Sequence, residues 1–364
     1  MKPRAWLVAV ATLTVPAAAG AQTLMPRVGA GASYESYRFS AADDIGFESI
    51  SLLVLPAAAR VAITPSVALD VSSAWASGTL VRADGSESMI SGPTDTELRL
   101  EVGLGRGLLN LTAIALLPSG SESLSSEEAD VAGAIAADVL PFAISNWGTG
   151  GGFGVSTAIA RPIGSFAAGL SVGYVVAREF EPLEDEASRY RPGNQLHIRA
   201  ALDRTFGDAG KAAVVVTVQR FGGDEIDGSN LFQTGDRYQA VGSYAFAAGA
   251  TGNGIVYLGW LHRDASEFTQ EDRLMPAQDL AFGGAGLEMP AGRVLLKPSV
   301  DLRLLRRGDG AGQGYTAGIG GTAEVPAGMF TLLPTLRGRF GNATLSDDVE
   351  SGFTGFEVGL TLRF

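Results

Sequence analysis

The sequence contains no cysteine. Disulfides, thiolate metal sites, a cysteine nucleophile and a lipid-modified cysteine anchor are therefore excluded. Histidine occurs only at His197 and His262, too few for a Cys/His metal cluster, and no glycine-rich phosphate loop is present. After the amino terminus no apolar run is long enough for a helix to cross a bilayer. Basic residues are in the minority: 27 Lys and Arg against 39 Asp and Glu leave a formal net charge of −12. That balance speaks against a nucleic-acid partner, whose phosphates need a basic surface. The acidic run Asp224-Glu225-Ile226-Asp227-Gly228 lacks the ligand spacing of an EF-hand loop and reads as solvated. Neither a cofactor nor a metal is expected.

What is present begins with a leader. Lys2 and Arg4, an apolar run from Ala5 to Val15, then Pro16 and Ala19-Gly20-Ala21 make the basic head, short apolar middle and small-residue exit of a secretory signal peptide. Cleavage after Ala21 is expected to leave 364 − 21 = 343 residues, with 25 basic against 39 acidic side chains and a net charge of −14. No linker or composition break divides residues 22–364, which read as one domain. Glycine is abundant at 49 residues, yet scattered through apolar segments, as the bends of a curved sheet require.

Period-two alternation is clearest over Asp95 to Gly105, where Leu98, Leu100, Val102 and Leu104 oppose Glu97, Arg99, Glu101 and Gly103. Similar stretches recur along the chain. They are joined alternately by tight turns, such as Thr64-Pro65-Ser66, and by longer polar or acidic loops at 40–46, 81–94, 178–193, 221–233 and 264–278. The run Glu288-Met289-Pro290-Ala291-Gly292 returns 36 residues later as Glu324-Val325-Pro326-Ala327-Gly328, a sign of repeated hairpins or of shared turn chemistry. The expected fold is all-β: a transmembrane antiparallel up-and-down β-barrel of about sixteen strands, with fourteen or twelve as alternatives. Residues 119–150 break the pattern. A short helix is expected between Ser125 and Leu140, ahead of Pro141, in a long loop lying either outside or in the lumen; a further strand pair is the alternative.

The terminal stretch places Phe356, Val358, Leu360, Leu362 and Phe364 on one face and Gly355, Glu357, Gly359, Thr361 and Arg363 on the other. Within it Glu357, Gly359, Leu362 and Phe364 fall at the spacing of the carboxy-terminal sorting signal of Gram-negative outer-membrane barrels, and the chain resembles that porin-like family. The resemblance implies a place in the bacterial outer membrane among its lipid and lipopolysaccharide. It also implies recognition by the barrel-assembly machinery. A looser likeness, carried by Gly92-Pro93-Thr94-Asp95 and Leu117-Pro118-Ser119-Gly120, is to the transport barrels related to the meta-pathway phenol-degradation proteins. Ser119 stands there in place of their Thr.

With the apolar face turned outward, the lumen-lining candidates are Arg99, Glu101, His197, Arg199, Asp203, Lys297, Asp301, Arg303, Arg337 and Arg339. A charge facing lipid near the midplane costs ~2–4 kcal/mol, which favours the inward orientation. A barrel this wide keeps an aqueous channel, and charge of both signs biases which solutes pass. The expected function is a passive or weakly selective channel for small solutes, not an enzyme. The alternatives are a closed structural or adhesive barrel, whose inward charges pair and fill the lumen, and an outer-membrane hydrolase. For the latter, His197 has Arg199 and Asp203 on its strand face but no serine motif, and His262 beside Trp260 reads as part of an interfacial aromatic belt.

Overall fold

Residues of alternating character force an extended chain to present one face to each solvent, and this chain does so sixteen times. The computed structural model describes residues 27–364 apart from 208–209, 250–251, 269–273, 309–312 and 347–348; the leader expected over 1–21 lies outside the described residues. The wall opens with β1 (Arg27–Phe39), β2 (Phe47–Thr64) and β3 (Val67–Arg82). Strand β4 comes in two pieces, Glu87–Pro93 and Thr96–Leu104, and β5 is Leu109–Leu117. Then come β6 (Gly152–Ile163), β7 (Phe166–Ala177), β8 (Gln195–Thr205), β9 (Lys211–Phe221) and β10 (Arg237–Ala248). The wall is completed by β11 (Gly252–Arg263), β12 (Gln278–Ala291), β13 (Val294–Arg307), β14 (Gly314–Ala327), β15 (Phe330–Ser346) and β16 (Val349–Arg363). Each pairs antiparallel with the next, and β1 closes on β16 from Gly29↔Arg363 to Phe39↔Phe353.

The connections alternate in length. Short turns join β2 to β3, β6 to β7, β12 to β13 and β14 to β15, and both Arg27 and Arg363 stand at that end. The echoed Pro-Ala-Gly motifs make two equivalent hairpins: Ala291 pairs Val294 and Ala327 pairs Phe330. Gly292 and Gly328, at φ 65° and 67°, supply the left-handed residue that a two-residue turn needs to match strand twist.

At the other end the structure corrects two sequence expectations. Residues 81–94 are not a loop, since Glu87–Pro93 pairs with β3 from Val81↔Glu87 to Trp75↔Pro93. Serine and glycine gave that segment a loop composition, but Ile90 is buried while Met89 faces outward. The charged connections 178–194, 222–236 and 264–277 are also not featureless. Their short strands Tyr190–Arg191, Gly223–Ile226, Ser229–Gln233, Ser266–Phe268 and Leu274–Met275 form a second sheet. Asp224 ties it together, accepting hydrogen bonds from the Tyr190 hydroxyl (2.7 Å), Gly193 N (2.6 Å) and the Thr234 hydroxyl (3.0 Å). Burial and this neighbouring carboxylate hold the Tyr190 phenol well above its usual range.

The long connection 118–151 holds the expected short helix: α2 spans Ser126–Ile135 (α1 being the single turn Ala42–Ile45) and stops before Val139 and Leu140, which turn aside to pack. The start follows the predicted chemistry. Ser125 and Glu128 form a reciprocal capping box, with Glu127 and Glu128 in the first turn.

Outward-facing Leu336 on β15 is 64 % exposed. Leu336→Arg is expected to destabilise the membrane-inserted barrel by ~2–4 kcal/mol, and Thr335→Arg, one residue away on the inner face, by less. Urea unfolding from lipid vesicles measures both.

Candidate functional site: the inner wall and the segment folded against it

Register decides which side chains look inward. On β1 to β4 the buried residues Tyr37, Ile50, Leu52, Val54, Ala76, Leu80 and Ile90 share one face. The opposite face carries exposed Tyr34, Leu55, Trp75 and Met89. Following the partners around the ring extends the inner face to every strand. Arg99 and Glu101 stand on that face of β4, and His197, Arg199 and Asp203 on that of β8. Lys297, Asp301 and Arg303 occupy it on β13, Arg337 and Arg339 on β15. On β16 the inner positions include Glu357 and Gly359, while Leu362 faces outward and Phe364, just past the strand, is exposed.

The inward charges form separate clusters. On β13, β15 and β16, Arg337 pairs with Asp301 (3.0 Å), and Arg339 reaches both Asp301 (3.5 Å) and Glu357 (2.7 Å). This group is the most enclosed, the Arg339 side chain being 6 % exposed. Near the short-turn end, Lys297 bridges Glu288 (3.2 Å) and Glu324 (2.9 Å), and Arg363 also reaches Glu324. Across the wall Arg60 joins Asp70 (2.8 Å) to Glu101 (2.7 Å), and Arg99 pairs with Glu97 (2.6 Å). On β8 and β9, Asp203 meets Lys211 at 3.2 Å, and His197 lies 3.2 Å from Gln195. Sequence reasoning missed Arg60, Asp70, Glu288, Glu324, Arg237 and Arg263. Most stand singly among alanines, glycines or strand ends, where a single charge makes no visible alternation, although parity would have found them.

The segment 118–151 folds into the barrel and lies against one side of this wall. Val131 and Ile135 of α2, with Val139, Leu140, Phe142 and Trp147, are buried against Tyr37, Ile50, Leu52, Ala76, Ile90 and Phe353. The fit depends on missing atoms: a Cβ on Gly78 would stand 2.5 Å from Ile135 and 3.1 Å from Trp147. Polar ties complete the docking. The Trp147 indole donates to Ala76 O (3.1 Å), Ala143 N to Glu35 (3.2 Å), and the Thr316 hydroxyl to Val139 O (2.6 Å). Asp95 clamps both ends of the segment, accepting from Gly120 N (3.2 Å), Thr149 N (2.8 Å) and the Thr149 hydroxyl (2.7 Å). Of the two expected positions for this connection, outside or inside, the structure has the inner one.

The two histidines lie on opposite faces of the wall. His262 faces outward, with Asp279 at 2.9 Å and Asp264 at 3.2 Å, stacked on Trp260, whose indole also donates to Asp279. An aromatic cluster at a strand end, polar tips tied to carboxylates, suits a membrane–water boundary. The aromatic terminus is also paired: Phe364 N donates to Val28 O (2.9 Å) and its ring meets Phe330 edge-on at 5.3 Å.

No protein-family model matches the sequence, and no curated protein is similar to it. Among solved structures, a mutant of the Rh. blastica porin aligns at 12% identity over 93% of this chain and 100% of its own, with a TM-score of 0.42. An anion-selective porin from Comamonas acidovorans aligns at 10% identity over 94% and 99%, TM-score 0.43. A loop-deletion mutant of OmpT, an outer membrane protein of Vibrio cholerae, aligns at 10% over 93% and 99%, TM-score 0.43. Likenesses this distant carry no weight for function, and none supports the narrower meta-pathway group. The closed sixteen-stranded barrel rests on the hydrogen-bonded register itself.

Asp301→Ala should leave Arg337 and Arg339 without their shared carboxylate and cost ~3–5 kcal/mol, the range for breaking a buried pair. Glu101→Ala, in the more exposed cluster, should cost ~1 kcal/mol or less; equilibrium unfolding compares the two. Asp95→Ala removes three charge-assisted hydrogen bonds and should speed amide hydrogen exchange in 120–149 by about 30-fold or more while leaving the barrel strands protected.

Proposed function

We propose that this chain is an outer-membrane channel through which small hydrophilic solutes diffuse passively. The observation that carries the reading is a closed wall, apolar outside, whose inner face bears ionised side chains that remain accessible: Arg60 is 45% exposed and Lys297 32%. Ionised groups on an inner wall call for water, and a barrel of this strand number is wide enough to hold it. The inward segment supports a narrowed passage, because it packs mainly against β1 to β4 and β16 and leaves the inner faces of β6 to β12 outside its hydrophobic cluster. Solute size is set by the gap between them and solute charge by the clusters lining it. No step in this function calls for a cofactor or a nucleophile.

The cellular setting follows from the same reading. The leader at 1–21 exports the chain, and Glu357, Gly359, Leu362 and Phe364 on β16 present it to the barrel-assembly machinery. The short turns and both chain ends then face the periplasm. The longer connections and their small sheet face outside, where the outward Trp260 and His262 meet the lipopolysaccharide boundary. A second reading, a closed barrel of structural or adhesive role, draws on the enclosure of Arg339 and on the inward segment itself.

Planar-bilayer recording separates the two. The purified protein is expected to insert as discrete conductance steps, and replacing 121–146 by a short Gly/Ser linker should enlarge each step about twofold. A folded barrel that gives no current above leak in either form would establish the closed one.

A further inference from the structure

A wall that faces water is expected to be polar, yet one column of the inner face is not. On β11 and β12 the inward positions, taken from the loop end, are Leu261 beside Leu280, Phe282 beside Gly259, Tyr257 beside Gly284 and Ile255 beside Gly286. Their partners on β13 are Leu305, Arg303, Asp301 and Ser299, which fixes this face as the inner one. From Leu261 to Ile255 the column runs for about 20 Å of strand. Leu280 is buried at its loop end, but Ile255 is 44% exposed, and Leu261, Phe282 and Tyr257 are partly exposed. Val241 on β10 and buried Val215 on β9 continue the apolar surface sideways from Gly259.

Glycine decides how the two rings lie. A Cβ on Gly259 would stand 2.2 Å from the Phe282 ring, and one on Gly284 2.6 Å from the Tyr257 hydroxyl. Each ring therefore lies across the wall, over the glycine opposite it. Covering a glycine accounts for the position of a ring. It does not account for Ile255, or for an apolar column left on the wet face, and exposed apolar surface of this kind marks a binding groove. The inward segment leaves the inner faces of β11 and β12 outside its hydrophobic cluster, so the column borders the open part of the lumen.

The charges beside the column balance. On β12 to β16, Lys297, Arg303, Arg337 and Arg339 stand with Glu288, Asp301, Glu324 and Glu357, four of each sign. Such a set favours neither anions nor cations, while its members offer hydrogen-bond donors and acceptors together. The Lys297 and Glu288 side chains, 32% and 43% exposed, are within reach of a solute.

We propose that this column is a binding track for neutral, ring-shaped polyols, that is, sugars, passing through the channel. The apolar face of a sugar ring lies on Phe282 and Tyr257, between Leu261 and Ile255, while the hydroxyls on its edge meet the paired charges alongside. Aromatic acids or amines would suit the same rings, but a cluster of one sign would have to accompany them. The track deepens the channel reading and rests on it.

Planar-bilayer recording with cellotriose tests the track, with sorbitol, a polyol that has no ring face, as control. Cellotriose is expected to reduce the wild-type steps saturably and sorbitol only in proportion to its concentration. Y257A/F282A should raise the half-blocking concentration about tenfold, I255T about threefold, and Y257F, which keeps the ring, little. Three results overturn the track while leaving the channel intact: cellotriose acting no more than sorbitol, a double variant blocked like wild type, or block by sodium benzoate alone. Should the double variant not insert, Y257L/F282L, which fills the space over both glycines without rings, carries the comparison with the same outcomes. The absence of any step overturns the channel, and the track is then judged by calorimetric titration of cellotriose into the detergent-solubilised protein. Heat that saturates for wild type and is lost in the ring variant supports the track; equal behaviour of the two overturns it.

Discussion

Lipid offers no partner to a backbone N–H or C=O, and this constraint orders everything else in the molecule. Each strand must be hydrogen-bonded on both edges, so the ribbon has to meet itself. The seam between β1 and β16 is where that obligation is met, over paired positions from Gly29↔Arg363 to Phe39↔Phe353. Once the wall is closed, alternation leaves no freedom. The same parity that sends Val358 and Leu360 into lipid sends Glu357 and Gly359 inward. Closure and parity thus place the charges of the inner wall.

The interior is built by two different kinds of chemistry. On β1 to β4 the inward positions are apolar at the loop end, and the segment 118–151 covers them with Ile135, Phe142 and Trp147. On the remaining strands polar and ionised residues stay against water or pair with one another. The molecule therefore has a small dry core lodged within a wet enclosure, and the boundary between them runs through Arg339 and its partners Asp301 and Glu357.

Much of this was legible in the sequence because a β-barrel writes itself in parity. The regular stretch at 95–105 and the terminal strand each predict their inner face without ambiguity, and the Pro-Ala-Gly turns predict their hairpins. Features held by nonlocal packing were not legible. Glu87–Pro93 has the composition of a loop, and only its partner β3 and the helix lying against Ile90 make it a strand. The small sheet over 190–275 depends on Asp224 gathering donors from two separate connections, which no periodicity announces.

The docking of the inward segment has a bearing on assembly. Its hydrophobic seat is shared between strands from the beginning and the end of the chain, Tyr37 and Phe39 on β1 and Phe353 on β16, with Tyr37 and Phe353 meeting edge-on at 5.7 Å. The seat is complete only once the final strand has zipped to the first. Closure of the ring and full docking of the segment are therefore coupled. The segment works as a rivet across the join, so that whatever loosens the inner plug also weakens the one place where the ribbon could reopen.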